Sequence, residues 1–342
     1  MLTKMLVRTS MLAGLWIAIL VGVSVSAQTP KPNYDVPLHG HGQYIATRQG
    51  RLYYEREGHG PPVVLVAGGP GGGHTSFHPW FSRLAASHTV IYFDNIGRGR
   101  SDRLKDPSGY TVERDADDIE ALRRALGFET ITVLGHSYGG MPALAYALKY
   151  PQHINHLILS DTLLNADTFQ QNIDNCNREA AARFPDVWAK LTALRARGVK
   201  TGSEEYEDLY GGTTADLYWF NPDNAAKLYH SGDKTAALNF DVYRAMIGDD
   251  PEWIVGGTMK GYDPSPRMKG LAVPTLVCVG RFDRVAFPKI AQEIKDALPP
   301  ASSRLVVFER SGHRPWVEEA DLYFQTVSTF LDGPTPTSNS HA

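Results

Sequence analysis

"VLGHSYGGMPALAYA", Val133 to Ala147, sets Ser137 between Gly135 and Gly139 in the pattern Gly-x-Ser-x-Gly. Apolar, strand-forming residues precede it and small helix formers follow. A serine hydroxyl is a poor nucleophile at neutral pH. To react it must be exposed, served by a base, and placed beside hydrogen-bond donors for the oxyanion it creates. A sharp strand-to-helix turn provides the exposure. It forces strained dihedrals on the serine and leaves no room for side chains at the flanking positions, which explains the two glycines. The helix N-terminus that follows aims free amides at the same place.

The surrounding chain repeats this strand-helix alternation. "GQYIATRQ" and "GRLYYERE" flank Gly50 and predict an antiparallel hairpin. Six further runs predict strands: "PVVLVAG" (62–68), "TVIYFD" (89–94), "TITVLG" (130–135), "HLILSD" (156–161), "PTLVCVG" (274–280) and "RLVVFER" (304–310). They are β-branched and continuous, the pattern of strands buried on both faces. Helices are predicted between most of them. "TVERDADDIEALRRALGF" has Thr111 as N-cap and ends at Gly127. Others run from about Tyr138 to Tyr150, through "PKIAQEIKDAL" and through "ADLYFQTVSTFL". The expected class is α/β, with a mostly parallel eight-stranded sheet covered on both faces. Residues 163–262 carry no strong strand and are rich in polar and aromatic residues. They predict a helical insertion between two core parts, residues 28–162 and 263–333. The Pro/Ser-rich tail at 334–342 predicts disorder.

Three other stretches supply what Ser137 needs. "AGGPGGGH" (67–74) follows a strand, and its glycines let amides turn inward; Gly69 and Tyr138 are the expected oxyanion donors. Asp283 follows "PTLVCVG", and His313 follows "RLVVFER". His313 is the expected general base and acid, and Asp283 the group that orients it. Asp161, just after its own strand, is the alternative acid.

"VAGGPGGG", "VIYFDNIGRGRSD", "DADDIEALRRALG", "GHSYGGMPALAYALKYP", "GRFDRVAFP" and "SGHRPWVEE" together resemble the proline iminopeptidases and the related tricorn-interacting aminopeptidases, of the α/β-hydrolase fold. The likeness spans roughly residues 43–162 and 268–332. It implies Ser137, Asp283 and His313 as a triad, Gly69 and Tyr138 as oxyanion donors, and a helical cap formed by residues 163–262. Two departures stand out. Ala67 replaces the histidine that usually begins His-Gly-Gly-Pro-Gly. "DNIGRG" (94–99) replaces a segment beginning Asp-Gln-Arg-Gly, with Asn95 and Ile96 in place of Gln and Arg.

Composition narrows the rest. The 342 residues are 42% hydrophobic with net charge −3, and no basic stripe appears, so no nucleic-acid partner is expected. Lys4 and Arg8 precede the apolar run Met11 to Val23, and Val25-Ser26-Ala27 offers small residues at a cleavage site. Residues 1–27 are therefore expected to be a signal peptide cut after Ala27, giving an exported protein, periplasmic or secreted, with no membrane span after cleavage. The alternative is an uncleaved anchor. Cys176 and Cys278 lie in unlike contexts and are expected to remain separate thiols. No cofactor is implied. His74 and His78 are expected at a pocket mouth, with His74 a substrate contact and not a metal ligand.

An aminopeptidase must recognise a cationic amine. "SEEYEDLY" (203–210) offers Glu204, Glu205, Glu207 and Asp208, either as amine ligands or as a solvated helix face. Glu204, Glu205 and Trp219 are carried as candidate substrate contacts. Tyr206, Tyr210, Tyr218 and Phe220 would line a pocket or pack the insertion. The expected function is a serine hydrolase forming an acyl-enzyme and releasing N-terminal residues, such as proline, from short peptides. An esterase, lactonase or amidase is the alternative. A non-catalytic binding protein is disfavoured, because every catalytic role has a residue to fill it.

Overall fold

The computed structural model describes residues 42–228 and 234–333. The expected signal peptide and tail lie outside these residues, and the expected cap contains the undescribed positions 229–233.

Eight strands form one sheet: β1 (Gln43–Thr47), β2 (Gly50–Glu57), β3 (Pro62–Val66), β4 (Thr89–Phe93), β5 (Ile131–His136), β6 (Ile154–Ser160), β7 (Thr275–Gly280) and β8 (Ser303–Phe308). Their order is β1-β2-β4-β3-β5-β6-β7-β8. The β1–β2 hairpin pairs antiparallel, as does β2 with β4; every later neighbour is parallel. The helices are α1 (Val112–Ala125), α2 (Gly140–Lys149), α3 (Ala166–Arg183), α4 (Pro185–Ala196), α5 (Glu204–Thr214), α6 (Phe240–Ile247), α7 (Ser265–Met268), α8 (Pro288–Ala297), α9 (Pro315–Glu318) and α10 (Ala320–Leu331).

Alternate residues of the central strands enter two different cores. Val64, Val66, Ile91, Val133, Leu157 and Val277 pack beneath α1, α2 and α8. Val63, Leu65, Val90, Leu134, Ile158 and Leu276 pack on the other side against Phe77, Phe81, Trp316 and Tyr323. That double burial explains the unbroken apolar runs, since each buried side chain contributes roughly 1.5–3 kcal/mol. β8 departs from the expectation. It is the edge strand, and all but Phe308 of its residues are half-buried or exposed.

α3 to α6 lie between β6 and β7, with no strand among the described residues there. Cys176, Leu191, Leu194, Tyr206, Tyr210 and Leu217 form a third core, which Val285 joins from the loop after β7. Thr111 caps α1 as expected, its hydroxyl accepting from the Arg114 amide at 3.1 Å. The capping box of α3 is reciprocal between Asn165 and Thr168.

Candidate active site

β5 ends at His136, and Ser137 takes a φ of +54°, a left-handed conformation that a non-glycine residue holds only under constraint. The constraint is visible in the packing. A Cβ built on Gly135 would sit 2.3 Å from the Gly139 carbonyl oxygen. A Cβ on Gly68 would sit 2.7 Å from the Ser137 Cβ. The glycine-rich loop after β3 therefore lies directly against the serine. Thr162 Oγ1 donates to the Ser137 carbonyl at 2.5 Å and ties the turn to the segment after β6.

His313 and Asp283 meet as the sequence predicts. His313 Nδ1 lies 2.8 Å from Asp283 Oδ2. The other carboxylate oxygen accepts from the amides of Val285 and Ala286 at 2.8 and 2.9 Å. His313 Nε2 is buried with no hydrogen-bond partner. Its backbone amide donates to the Tyr218 carbonyl at 2.8 Å, and the Tyr218 ring stands edge-on 5.1 Å away. His136, adjacent to Ser137, contacts the His313 carbonyl through Nε2 at 3.0 Å. Burial, then the neighbouring His313 and Arg314, hold His136 far below the usual histidine range, so it is neutral.

Glu318 joins the base loop to the insertion. It accepts from the amides of Gly312 (2.6 Å), Phe220 (3.1 Å) and Asn221 (2.9 Å). Asp161, the alternative acid, is not the hydrogen-bond partner of His313. Its carboxyl accepts from the Gly280 amide at 2.8 Å and the Ser160 hydroxyl at 2.9 Å. Burial, then the charge of Asp283, push it well above the carboxylate range. It has a φ of +48°. Gly69 has a φ of +66°, and the loop closes through the Gly72 amide on the Gly68 carbonyl at 3.2 Å. The Asn239 amide of the insertion donates to the Gly71 carbonyl at 2.9 Å.

The residues expected to contact substrate lie as follows. His74 is buried. Its Nδ1 lies 2.9 Å from Asp94, and its Nε2 3.3 Å from Glu55 of β2. These two carboxylates outweigh burial and raise it to about 9. His78 is also buried, stacked on Tyr92. Glu55, His74 and His78 bring ligand atoms within 4.8 Å of one another, a grouping that could hold a metal ion. Its carboxylate lies 19 residues before His74 in the chain. Glu204 and Glu205 are exposed; Glu205 pairs with Arg197 at 3.2 Å in solvent. Trp219 is buried in the second core beside Gly312.

The carboxylate on the inner side of α5 is Glu207, whose Oε1 is buried and unpartnered. It is matched by Glu252, outside the predicted set. Burial, then Glu252, raise Glu207 to about 8; burial raises Glu252 to about 7. Tyr243 donates to Glu252 at 2.9 Å, and the hydroxyls of Tyr206 and Tyr210 lie buried without partners.

A protein-family comparison matches residues 61–320 to the alpha/beta hydrolase fold. The chain belongs to the alpha/beta hydrolases. This hydrolase is 31% identical over 286 residues to a proline iminopeptidase of Saccharolobus solfataricus, covering 82% of this chain and 87% of that one. It is 28% identical to a proline iminopeptidase of Heyndrickxia coagulans, covering 84% and 98%. Among solved structures, the crystal structure of VinJ superposes with a TM-score of 0.69 at 27% identity, covering 85% of this chain and 98% of that one. A proline iminopeptidase of Mycobacterium smegmatis gives 0.67 at 22%, covering 85% and 97%, which shows the shared fold. The hydrolase is proline iminopeptidase-like, a serine hydrolase of aminopeptidase type.

Proposed function

We propose that this hydrolase releases N-terminal residues, proline among them, from short peptides through an acyl-enzyme on Ser137. The observation that carries the reading is the half-buried carboxylate pair Glu207 and Glu252, one with an unpartnered buried oxygen and the other held by Tyr243. Glu207 Oε1 is buried without a hydrogen-bond partner, and Arg244 offsets only part of the cost of holding two acids together. A substrate α-ammonium would repay that cost, and unpartnered tyrosine hydroxyls stand nearby to complete its hydrogen bonds. The resemblance to curated proline iminopeptidases supports the same direction.

The chemistry follows from the hydrogen bonds. Asp283 accepts from Nδ1 of His313 and so fixes the tautomer with a bare Nε2 lone pair. Nε2 takes the Ser137 proton as Oγ attacks the scissile carbonyl. The carbonyl electrons move onto oxygen, where the amides of Gly69 and Tyr138 receive them. The imidazolium gives its proton to the departing amine as the C–N bond breaks. Water then repeats the sequence on the acyl-enzyme, releasing the free amino acid and restoring the hydroxyl. In this reading the chain acts after export, an expectation that rests on residues 1–27.

The test is a substrate panel: free and N-acylated prolyl amides, short-chain esters and lactones, each with wild type and Ser137→Ala. Turnover of the free-amine substrate, lost on N-acylation and in Ser137→Ala, is the expected result. Preference for esters or lactones regardless of an amine would move the assignment to a carboxylic ester hydrolase. Full activity in a folded Ser137→Ala protein would remove the mechanism.

A further inference from the structure

Arg98 lies in the loop between β4 and α1, yet its side chain is only 2% exposed. The guanidinium works in two directions. NH1 and NH2 grip Asp115 of α1 as a fork, at 2.8 and 2.7 Å. Nε donates to the Pro70 carbonyl at 2.7 Å. Asp115, fully buried, also accepts the Tyr138 phenol at 2.6 Å. One ion pair thus holds the residue after Gly69 through its carbonyl, and Tyr138 through its side chain. Those are the two stretches of backbone whose amides face the developing oxyanion in the mechanism above.

We infer that Arg98 and Asp115 are positioning residues that set the spacing of the two oxyanion donors. This rests on the proposed roles of Gly69 and Tyr138. Three physical points support it. First, a buried ion pair is weak evidence of stabilisation, because apolar replacements of similar volume are often as stable. Its presence calls for another function, and geometric constraint is one that a planar fork serves well. Second, lysine could not replace it. A single ammonium point cannot face both oxygens of Asp115 and reach Pro70 from a third, rigidly related donor. Third, Ile96 is buried in the core, and it is Arg98 of this loop whose fork meets Asp115. Oxyanion donors contribute in proportion to their aim at the transition-state oxygen, so a small displacement costs rate and not substrate affinity.

The experiment uses full-length enzyme and the variants Tyr138→Phe, Arg98→Lys and Arg98→Met. It measures kcat and KM on the best substrate of the panel, inhibition by a boronic acid that forms a tetrahedral adduct with serine, and thermal melting. Tyr138→Phe cuts one link while keeping the Tyr138 backbone amide and the ion pair, so it guards against a misfolded Arg98 variant. The expected result is a fall in kcat of about ten- to a hundredfold, with KM within about twofold and boronate affinity falling in step with kcat. Unchanged kcat in folded Tyr138→Phe and Arg98→Lys would overturn the inference. So would rate losses that follow the unfolded fraction alone, with boronate affinity intact. If wild type resists the boronate and Ser137→Ala stays active, the proposed mechanism falls, and this inference with it. If wild type is inhibited but the variants match it, only this inference falls.

Discussion

His313 Nδ1 lies 2.8 Å from Asp283 Oδ2, while Asp283 Oδ1 is committed to two backbone amides. The carboxylate therefore cannot rotate without losing both amide bonds. In Asp283→Asn the amide oxygen would keep those two donors, and its NH2 would turn toward His313. Donor would then face donor, and the imidazole would shift its proton to Nε2, the atom that must accept from Ser137. The expected loss in kcat is about 10⁴-fold, with circular dichroism unchanged. A loss below about tenfold would show that another group orients the base.

A buried acid ties stability to pH. Asp118 is raised to about 7 by burial, then by the negative charge of Asp115. It is protonated in the fold at pH values where the unfolded chain, with a pKa of about 3.9, is ionised. The native state then binds more protons, so stability declines as pH rises from about 4 through 7. Asp118→Asn keeps an oxygen to accept from the Ile96 amide, 2.8 Å away in the wild type, without the titration. Urea unfolding at pH 5 and pH 8 should show the variant gaining on wild type by up to a few kcal/mol, at about 1.4 kcal/mol per pKa unit. Parallel curves at the two pH values would contradict this.

The carboxylate pair of the insertion predicts a pH-dependent KM. Glu207 and Glu252 are raised to about 8 and about 7, and binding an ammonium requires their ionised forms. KM for a free-amine substrate should rise as pH falls from 8 to 6. Glu252→Gln should raise KM about ten- to a hundredfold at pH 8, the range for a hydrogen bond to a charged group, and flatten that dependence. An ester substrate lacking an amine should be indifferent. Equal effects on both substrates would assign the pair a structural role.

Glu318→Ala should disturb catalysis from outside the reacting groups. It leaves the amides of Gly312, Phe220 and Asn221 without their acceptor. We expect a stability loss of about 1–3 kcal/mol and a lower kcat, with Glu318→Gln recovering part of both. Stability and kcat both equal to wild type would show that these contacts are incidental.

Local pattern made much of this molecule legible. The turn at Ser137 is written in consecutive residues, and the loops carrying Asp283 and His313 each follow an apolar run. What escaped was non-local. On α5 the buried stripe is Tyr206, Tyr210 and Thr213, which puts Glu204 and Asp208 on the far side. Glu205 and Glu207 occupy the two shoulders of that stripe. Only the packing of the segment around Glu252 separates them, and no helical periodicity contains that information. Glu252 itself sits in "DDPEWIVGG" (249–257), among turn-forming residues that advertise solvent.

His74 and His78 show the same limit. Their spacing suggested a shared face at an opening, but the partner that buries them, Glu55, arrives from β2 across the sheet. β8 read as doubly covered because its composition matches the central strands; its position at the end of the strand order is a property of topology.

The splice at residues 218–221 bears on engineering. Because the peptide of His313, the proposed base, hangs from that stretch, the helical insertion is not an interchangeable module laid over a finished site. A chimera that borrows this insertion from another hydrolase keeps the seat of the proposed base only if the transplanted piece brings back a carbonyl for the 313 amide and amides for the 318 carboxylate.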